Sequence, residues 1–105
     1  MNKIETKLVS VISDAVKKTF DLDSVEGLVM VEIPRDNANG DYSSNIAMRL
    51  AKLLKKKPFD IANELKENLT DDVIDHVEVA MPGFINFWMK KGAIADVINT
   101  VFDKG

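Results

Sequence analysis

The chain has 105 residues, 46% hydrophobic and 30% charged, the make-up of one ordinary globular domain with a modest core and little room for separate substrate subsites. It contains no cysteine, which excludes a disulfide framework and a thiolate metal site and fits a reducing compartment. A formal charge of −3 argues against a nucleic-acid binder working through phosphates alone, so any RNA contact has to be local.

From Asn2 to about Phe20, the residues Ile4, Leu8, Val11, Ile12, Ala15 and Val16 recur at helical spacing and form the apolar stripe of an amphipathic helix. No apolar run is long enough for a signal h-region or a bilayer span, so a cytoplasmic location without a membrane partner is expected. Asp21 to Gly27 reads as a polar connection. Leu28-Val29-Met30-Val31-Glu32-Ile33 then has the β-branched content and length of a buried strand, closed by Pro34. Pro34 to Asp41 reads as a loop, with turn chemistry in Asn39-Gly40-Asp41. Tyr42, Ser43, Ser44 and Asn45 look like loop closure, and Ser43 or Ser44 can cap the next helix; the Tyr42 hydroxyl leaves a minor RNA-facing role open. That helix turns Ile46, Ala47, Leu50, Ala51, Leu53 and Leu54 inward and ends in Lys55-Lys56-Lys57, where cations suit the C-terminal dipole.

Pro58 suits the first turn of a third helix, which points Phe59, Ile61, Ala62, Leu65 and Leu69 at the core until Thr70-Asp71-Asp72 breaks it. Val77 and Val79 alternate with Glu78 and Ala80 as a half-buried strand. Pro82-Gly83 matches the i+1 and i+2 positions of a type II turn, so a hairpin follows. A last helix is expected from about Lys91 to Phe102, with Ile94, Val97, Ile98, Val101 and Phe102 on one side. The predicted fold is α+β, a small antiparallel β-sheet with helices packed on one face, in the order α-β-α-α-β-β-α, as one domain over residues 1–105.

The segment Phe84-Ile85-Asn86-Phe87-Trp88-Met89 carries the best functional signal. Alternation puts Ile85, Phe87 and Met89 on one side, as core, and Phe84, Asn86 and Trp88 on the other. A carboxamide between two aromatics suits a nucleobase, whose flat face stacks on a ring while its edge takes hydrogen bonds. Bland readings stand beside this one. Phe84 can be a partly buried hairpin aromatic, Asn86 can satisfy a neighbouring backbone group, and Trp88 reads as a cover for the sheet or a surface for a neighbouring domain.

Charge is unevenly placed. Arg49, Lys52, Lys55, Lys56 and Lys57 form a basic block, and Asp60, Glu64, Glu67, Asp71, Asp72, Asp75 and Glu78 an acidic one; solvated helix faces account for both. Arg35, Lys52 and Lys56 are the candidate phosphate contacts that would add salt-dependent affinity. His76 lacks partners at metal-ligand spacing and reads as a surface histidine. Asp71, Asp72 and Asp75 lack the glycine and distal glutamate of a calcium loop. A glycine-rich phosphate loop and a nucleophile with a matched histidine are also missing, so neither a catalytic nor a metal residue is nominated.

Four stretches in fixed order are specific together: Gly40-Asp41-Tyr42-Ser43-Ser44-Asn45-Ile46-Ala47, then Leu50-Ala51-Lys52, then Pro58-Phe59-Asp60-Ile61-Ala62, and last Pro82-Gly83-Phe84-Ile85-Asn86. In these the chain resembles the N-terminal additional domain of arginyl-tRNA synthetase over nearly its whole length. The resemblance implies a domain that precedes the catalytic domain and meets the D-loop of tRNA-Arg, with no DNA partner. It places Phe84 and Asn86 where a D-loop base is held. The amide seen just before the turn in some relatives is Met81 here, which lacks the donor and acceptor pair but can pack against a non-aromatic base.

The HIGH-like and KMSKS-like segments of class I synthetases do not occur in the chain. The resemblance therefore assigns arginine attachment, with its ATP and Mg, to a catalytic domain outside this chain, and no cofactor to the chain itself; the anticodon-binding domain is likewise expected elsewhere. The rival reading is a structural docking module whose Phe84 and Trp88 pack on the catalytic domain or on a second subunit.

Overall fold

The computed structural model describes residues 3–23, 25 and 27–92. Of the expected last helix, from about Lys91 to Phe102, all but Lys91 and Gly92 lies outside the described residues.

Helix α1, Lys3–Phe20, buries Ile4, Leu8, Ile12, Ala15 and Val16, with Val11 packed against them, as its stripe predicts. Strand β1 is Tyr42–Ser44, α2 is Ile46–Leu54, α3 is Pro58–Lys66, β2 is Ile74–Ala80 and β3 is Phe84–Met89. The strands form one antiparallel sheet in the order β1-β3-β2, which puts the last strand in the middle. Ile85, Phe87 and Met89 of β3 meet the core residues Leu50, Ile61 and Leu65 of the helices, all nearly or fully buried. The α+β class and the order of elements are those expected from the sequence.

The first strand is displaced from its expected place. Residues 28–33 are not a buried strand: they touch the sheet at a single antiparallel bridge, in which Glu32 and Ser43 exchange both backbone hydrogen bonds at 2.9 and 2.8 Å. Met30 and Ile33 are 56% and 68% exposed. The reason lies in the partner. β1 is three residues long because α2 starts at Ile46, and Pro34 removes the next donor, so no ladder can extend. β-Branched content alone reports a fit to a pleated, half-buried surface, and here the surface is too short.

The loop before β1 is stitched to β3. Asp41 N donates to Phe87 O at 2.8 Å, and an Asp41 carboxylate oxygen accepts from Met89 N at 2.8 Å. Gly40, at φ +97, brings its Cα so close that a Cβ there would lie 2.8 Å from Phe87 O. Ser44 does the capping: its hydroxyl donates to Met30 O at 2.7 Å and receives Ile46 N at 3.3 Å. Asn45, the last residue before α2, makes no side-chain cap bond. The Tyr42 ring, opposite Phe87, is buried in the core.

Two further expectations change. The Met81–Pro82 bond is cis and Gly83 is not at positive φ, so the hairpin turn is not type II. Glycine is required at 83 for space, since a Cβ would sit 2.5 Å from Pro58 Cβ and 3.2 Å from Met48 Cγ. Phe59 and Leu53 are exposed rather than inward, at 36% and 60%. Pro58 does occupy the first turn of α3, and Lys55 ends α2 in the left-handed conformation. α1 is tied to the rest by Asn68 Nδ2 donating to Thr19 Oγ1 at 2.7 Å and by the Lys7–Asp71 pair at 3.5 Å.

Gly40→Ala should destabilise the chain well beyond Gly27→Ala. Both replace a glycine at positive φ, but only Gly40 faces backbone within 4 Å. The conformational penalty is about 1 to 2 kcal/mol for each, and overpacking against Phe87 O adds about 1 to 3 kcal/mol at Gly40 alone. Urea midpoints of the two variants measure the difference, and equal midpoints would refute the stitch.

Candidate functional site

Opposite the helices, the sheet presents a second face built from alternate residues of each strand. Pairing puts Ser43 of β1, Asn86 of β3 and Glu78 of β2 in one row across it, with Glu32 beside Ser43 at the outer bridge. The neighbouring rows hold Phe84 with Ala80, and Trp88 with His76. All of these belong to the face predicted for Phe84, Asn86 and Trp88.

A hollow of about 320 Å³ opens at the turn end of this face. Phe84, Met81, Ala80 and Pro34 supply its apolar lining; Asn86, Ser43, Asn39 and Glu32 supply the polar groups. Asn86 is 7% exposed and Ser43 7%. Within the described residues the Asn86 carboxamide makes no hydrogen bond, and it is not a sealed-off polar group either, since every fully buried side-chain N or O atom has a partner. Its donors and acceptor therefore reach solvent. A recess lined by an aromatic ring and other apolar groups on one side and by amides, a hydroxyl and a carboxylate on the other can hold a small planar group and read its edge.

The sequence candidates fall into two sets. Phe84, Asn86 and Met81 come together in the hollow, with Met81 71% exposed at the turn. Arg35 is exposed and follows Pro34, so it stands next to the same lining. Lys52 is exposed on α2 and does not line the hollow. Lys56 belongs to the helical layer, where its ammonium pairs with Glu64 and lies 5.5 Å from the Phe20 ring centroid. Among the described residues no group of histidine, cysteine or carboxylate side chains could hold a metal.

Glu32, Pro34, Asn39 and Ser43 were not anticipated as lining. Their signal is tertiary, because only the pairing of β1 with β3 brings them beside Asn86. His76 was legible in principle. Counting back from the Ala80–Phe84 pair at the hairpin puts His76 opposite Trp88, and the two rings stack with centroids 4.5 Å apart. Asp75 is the extra residue at the register shift between Ile74 and His76, and it lies against the His76 ring, Oδ2 to Nδ1 at 2.6 Å.

Comparison with known proteins places this geometry. The family described as arginyl tRNA synthetase N terminal domain matches residues 6–89. The arginine–tRNA ligase of Listeria monocytogenes is 38% identical over 104 residues, which cover 96% of this chain and 19% of that protein. The enzyme of Oceanobacillus iheyensis is 44% identical over 79 residues, 73% of this chain and 14% of that protein. The chain therefore spans less than a fifth of the length of these relatives. Among solved structures, arginyl-tRNA synthetase of Thermus thermophilus superposes with a TM-score of 0.74 at 26% identity over 89% of this chain and 15% of that one. The Plasmodium falciparum enzyme has the same fold, with a TM-score of 0.77 at 19% identity over 93% of this chain and 18% of that one. With the family match covering most of its length, the chain belongs to the arginyl-tRNA synthetase N-terminal domain family.

Proposed function

We propose that this domain holds the D-loop of tRNA-Arg for a parent arginine–tRNA ligase, an ATP-dependent class I synthetase of the cytoplasm whose catalytic and anticodon-binding domains lie outside this chain. One observation carries the proposal: Asn86, a residue only 7% exposed, has a carboxamide that makes no hydrogen bond within the described residues yet reaches solvent, in a hollow beside the Phe84 ring. With no internal partner and access to solvent, its donors and acceptor are open to a ligand, and a base takes them while its face meets Phe84.

Met81 covers the turn side of the hollow and packs against the base without reading its edge. Arg35, exposed and next in the chain to Pro34, meets a phosphate near that base in this reading, and Lys52 and Lys56 add a more distant, salt-sensitive attraction. No carboxylate, histidine or lysine here takes a chemical part in the reaction. ATP and Mg belong with the catalytic domain, and the contribution of this domain is orientation, fixing the tRNA elbow so that its ends reach the other domains.

Docking on the catalytic domain or a second subunit is favoured by a different feature, the exposure of Met30 and Ile33 on residues 28–33. That surface and the hollow can be separated by mutation. Phe84→Ala in the full-length enzyme should raise the apparent KM for tRNA roughly five- to 150-fold, from a stack of about 1 to 3 kcal/mol, with ATP binding unchanged. Steady-state aminoacylation and a tRNA-free ATP titration check this, and unchanged tRNA kinetics would leave docking as the better account.

Asn86→Ala separates the amide's two roles. If the carboxamide serves the ligand, the unfolding free energy changes by no more than about 0.5 kcal/mol while tRNA affinity falls. An amide that satisfied neighbouring backbone groups would instead cost about 1 to 3 kcal/mol of stability. Urea denaturation of the variant decides between them.

A further inference from the structure

The open face of the sheet carries a second planar feature. Trp88 and His76, cross-strand partners on β3 and β2, lie with their ring planes 11° apart and their centroids 4.5 Å apart. Asp75 Oδ2 bonds the imidazole at Nδ1, at 2.6 Å, and Glu78 Oε2 lies 3.4 Å from Nε2. The His76 side chain remains 46% exposed and Trp88 is half-buried, so part of the stacked pair stays open to solvent.

Phe84 and Trp88 are four residues apart on the same strand face, roughly 13 Å at about 3.3 Å per residue, and Asn86 stands midway. That separation is too great for one base to touch both rings. We infer that the His76–Trp88 pair is a second platform, for another unstacked base of the RNA strand whose first base occupies the hollow. The inference rests on the tRNA-binding reading of the hollow and extends it to a site on the other side of Asn86.

The chemistry around the stack favours a nucleobase over a protein side chain. Asp75 and Glu78 present only acceptors, which suit the N–H groups on a base edge and repel phosphate. A base lying on a sheet leaves its phosphates pointing outward, as single-stranded RNA does on four-stranded sheet platforms. An apolar protein surface seated over the pair would instead take both carboxylates out of water and offer them no hydrogen-bond donor, which is unfavourable.

Trp88 is the only tryptophan in the chain, so its fluorescence and its indole N–H resonance report this site alone. The probe is an RNA hairpin of D-loop sequence, titrated to millimolar concentration into the 105-residue chain. Quenching of Trp88 together with shifts of the Asn86 side-chain amide is the expected result. Trp88→Leu, which keeps apolar cover for the sheet, should weaken binding roughly five- to 150-fold, and the exposed change His76→Ala should weaken it in the same direction. Shifts at Asn86 with Trp88 unmoved, or full affinity in both variants, would overturn the second platform and leave the hollow standing. Silence at both sites would remove the hollow and the platform together.

Discussion

β3 is hydrogen-bonded along both edges, to β1 on one side and β2 on the other, and this central position fixes what each of its side chains can do. A strand held on both sides cannot slip by one residue without exchanging its faces. Ile85, Phe87 and Met89 are therefore committed to the helices, and Phe84, Asn86 and Trp88 are committed to the opposite side. The Gly40-Asp41 stitch matters for the same reason. It ties the chain entering β1 to Phe87 and Met89, so the shortest strand of the sheet is aligned by backbone contacts rather than by its own length.

Charge separates the two layers. The lysines that follow α2 lie on the helical side, where Lys56 is already occupied by Glu64 and by the Phe20 ring. The sheet face carries Glu32 and Glu78, and no cation lines the hollow. A surface of this kind gains little from a phosphate and much from a flat neutral group with hydrogen-bonding edges. The overall charge of −3 is consistent with recognition in which shape and edge contacts outweigh backbone attraction.

The helices and the β2–β3 hairpin were legible in the sequence because their signals are local: an apolar stripe in α1, Pro58 at the start of α3, alternation in β3. Phe84 and Asn86 could be placed on one face from alternation alone. Residues 28–33 misled because their composition fits a strand, whereas pairing depends on how much strand the neighbour offers. Tyr42 to Ser44 read as loop and cap because three residues are too few for a pattern, and their strand character comes from β3. The lining contributed by Glu32, Pro34, Asn39 and Ser43 was hidden for the same reason. The turn at Gly83 was misassigned because the sequence shows that glycine is present but not whether it answers a positive φ or the nearness of Pro58.

Asn86 is a local inconsistency within a domain that is otherwise consistent with itself. The aliphatic positions around it pack as their patterns require, and the polar residues that do fold-related work, Ser44 and Asp41, have short, identifiable bonds. An apolar residue at 86 would satisfy the strand equally well, whereas the carboxamide has no internal partner. Such departures are expected where a sequence serves a ligand rather than its own core. Backbone pairing on both sides of Asn86 fixes the main chain from which the carboxamide projects, so a ligand at this position meets a strand that is already ordered.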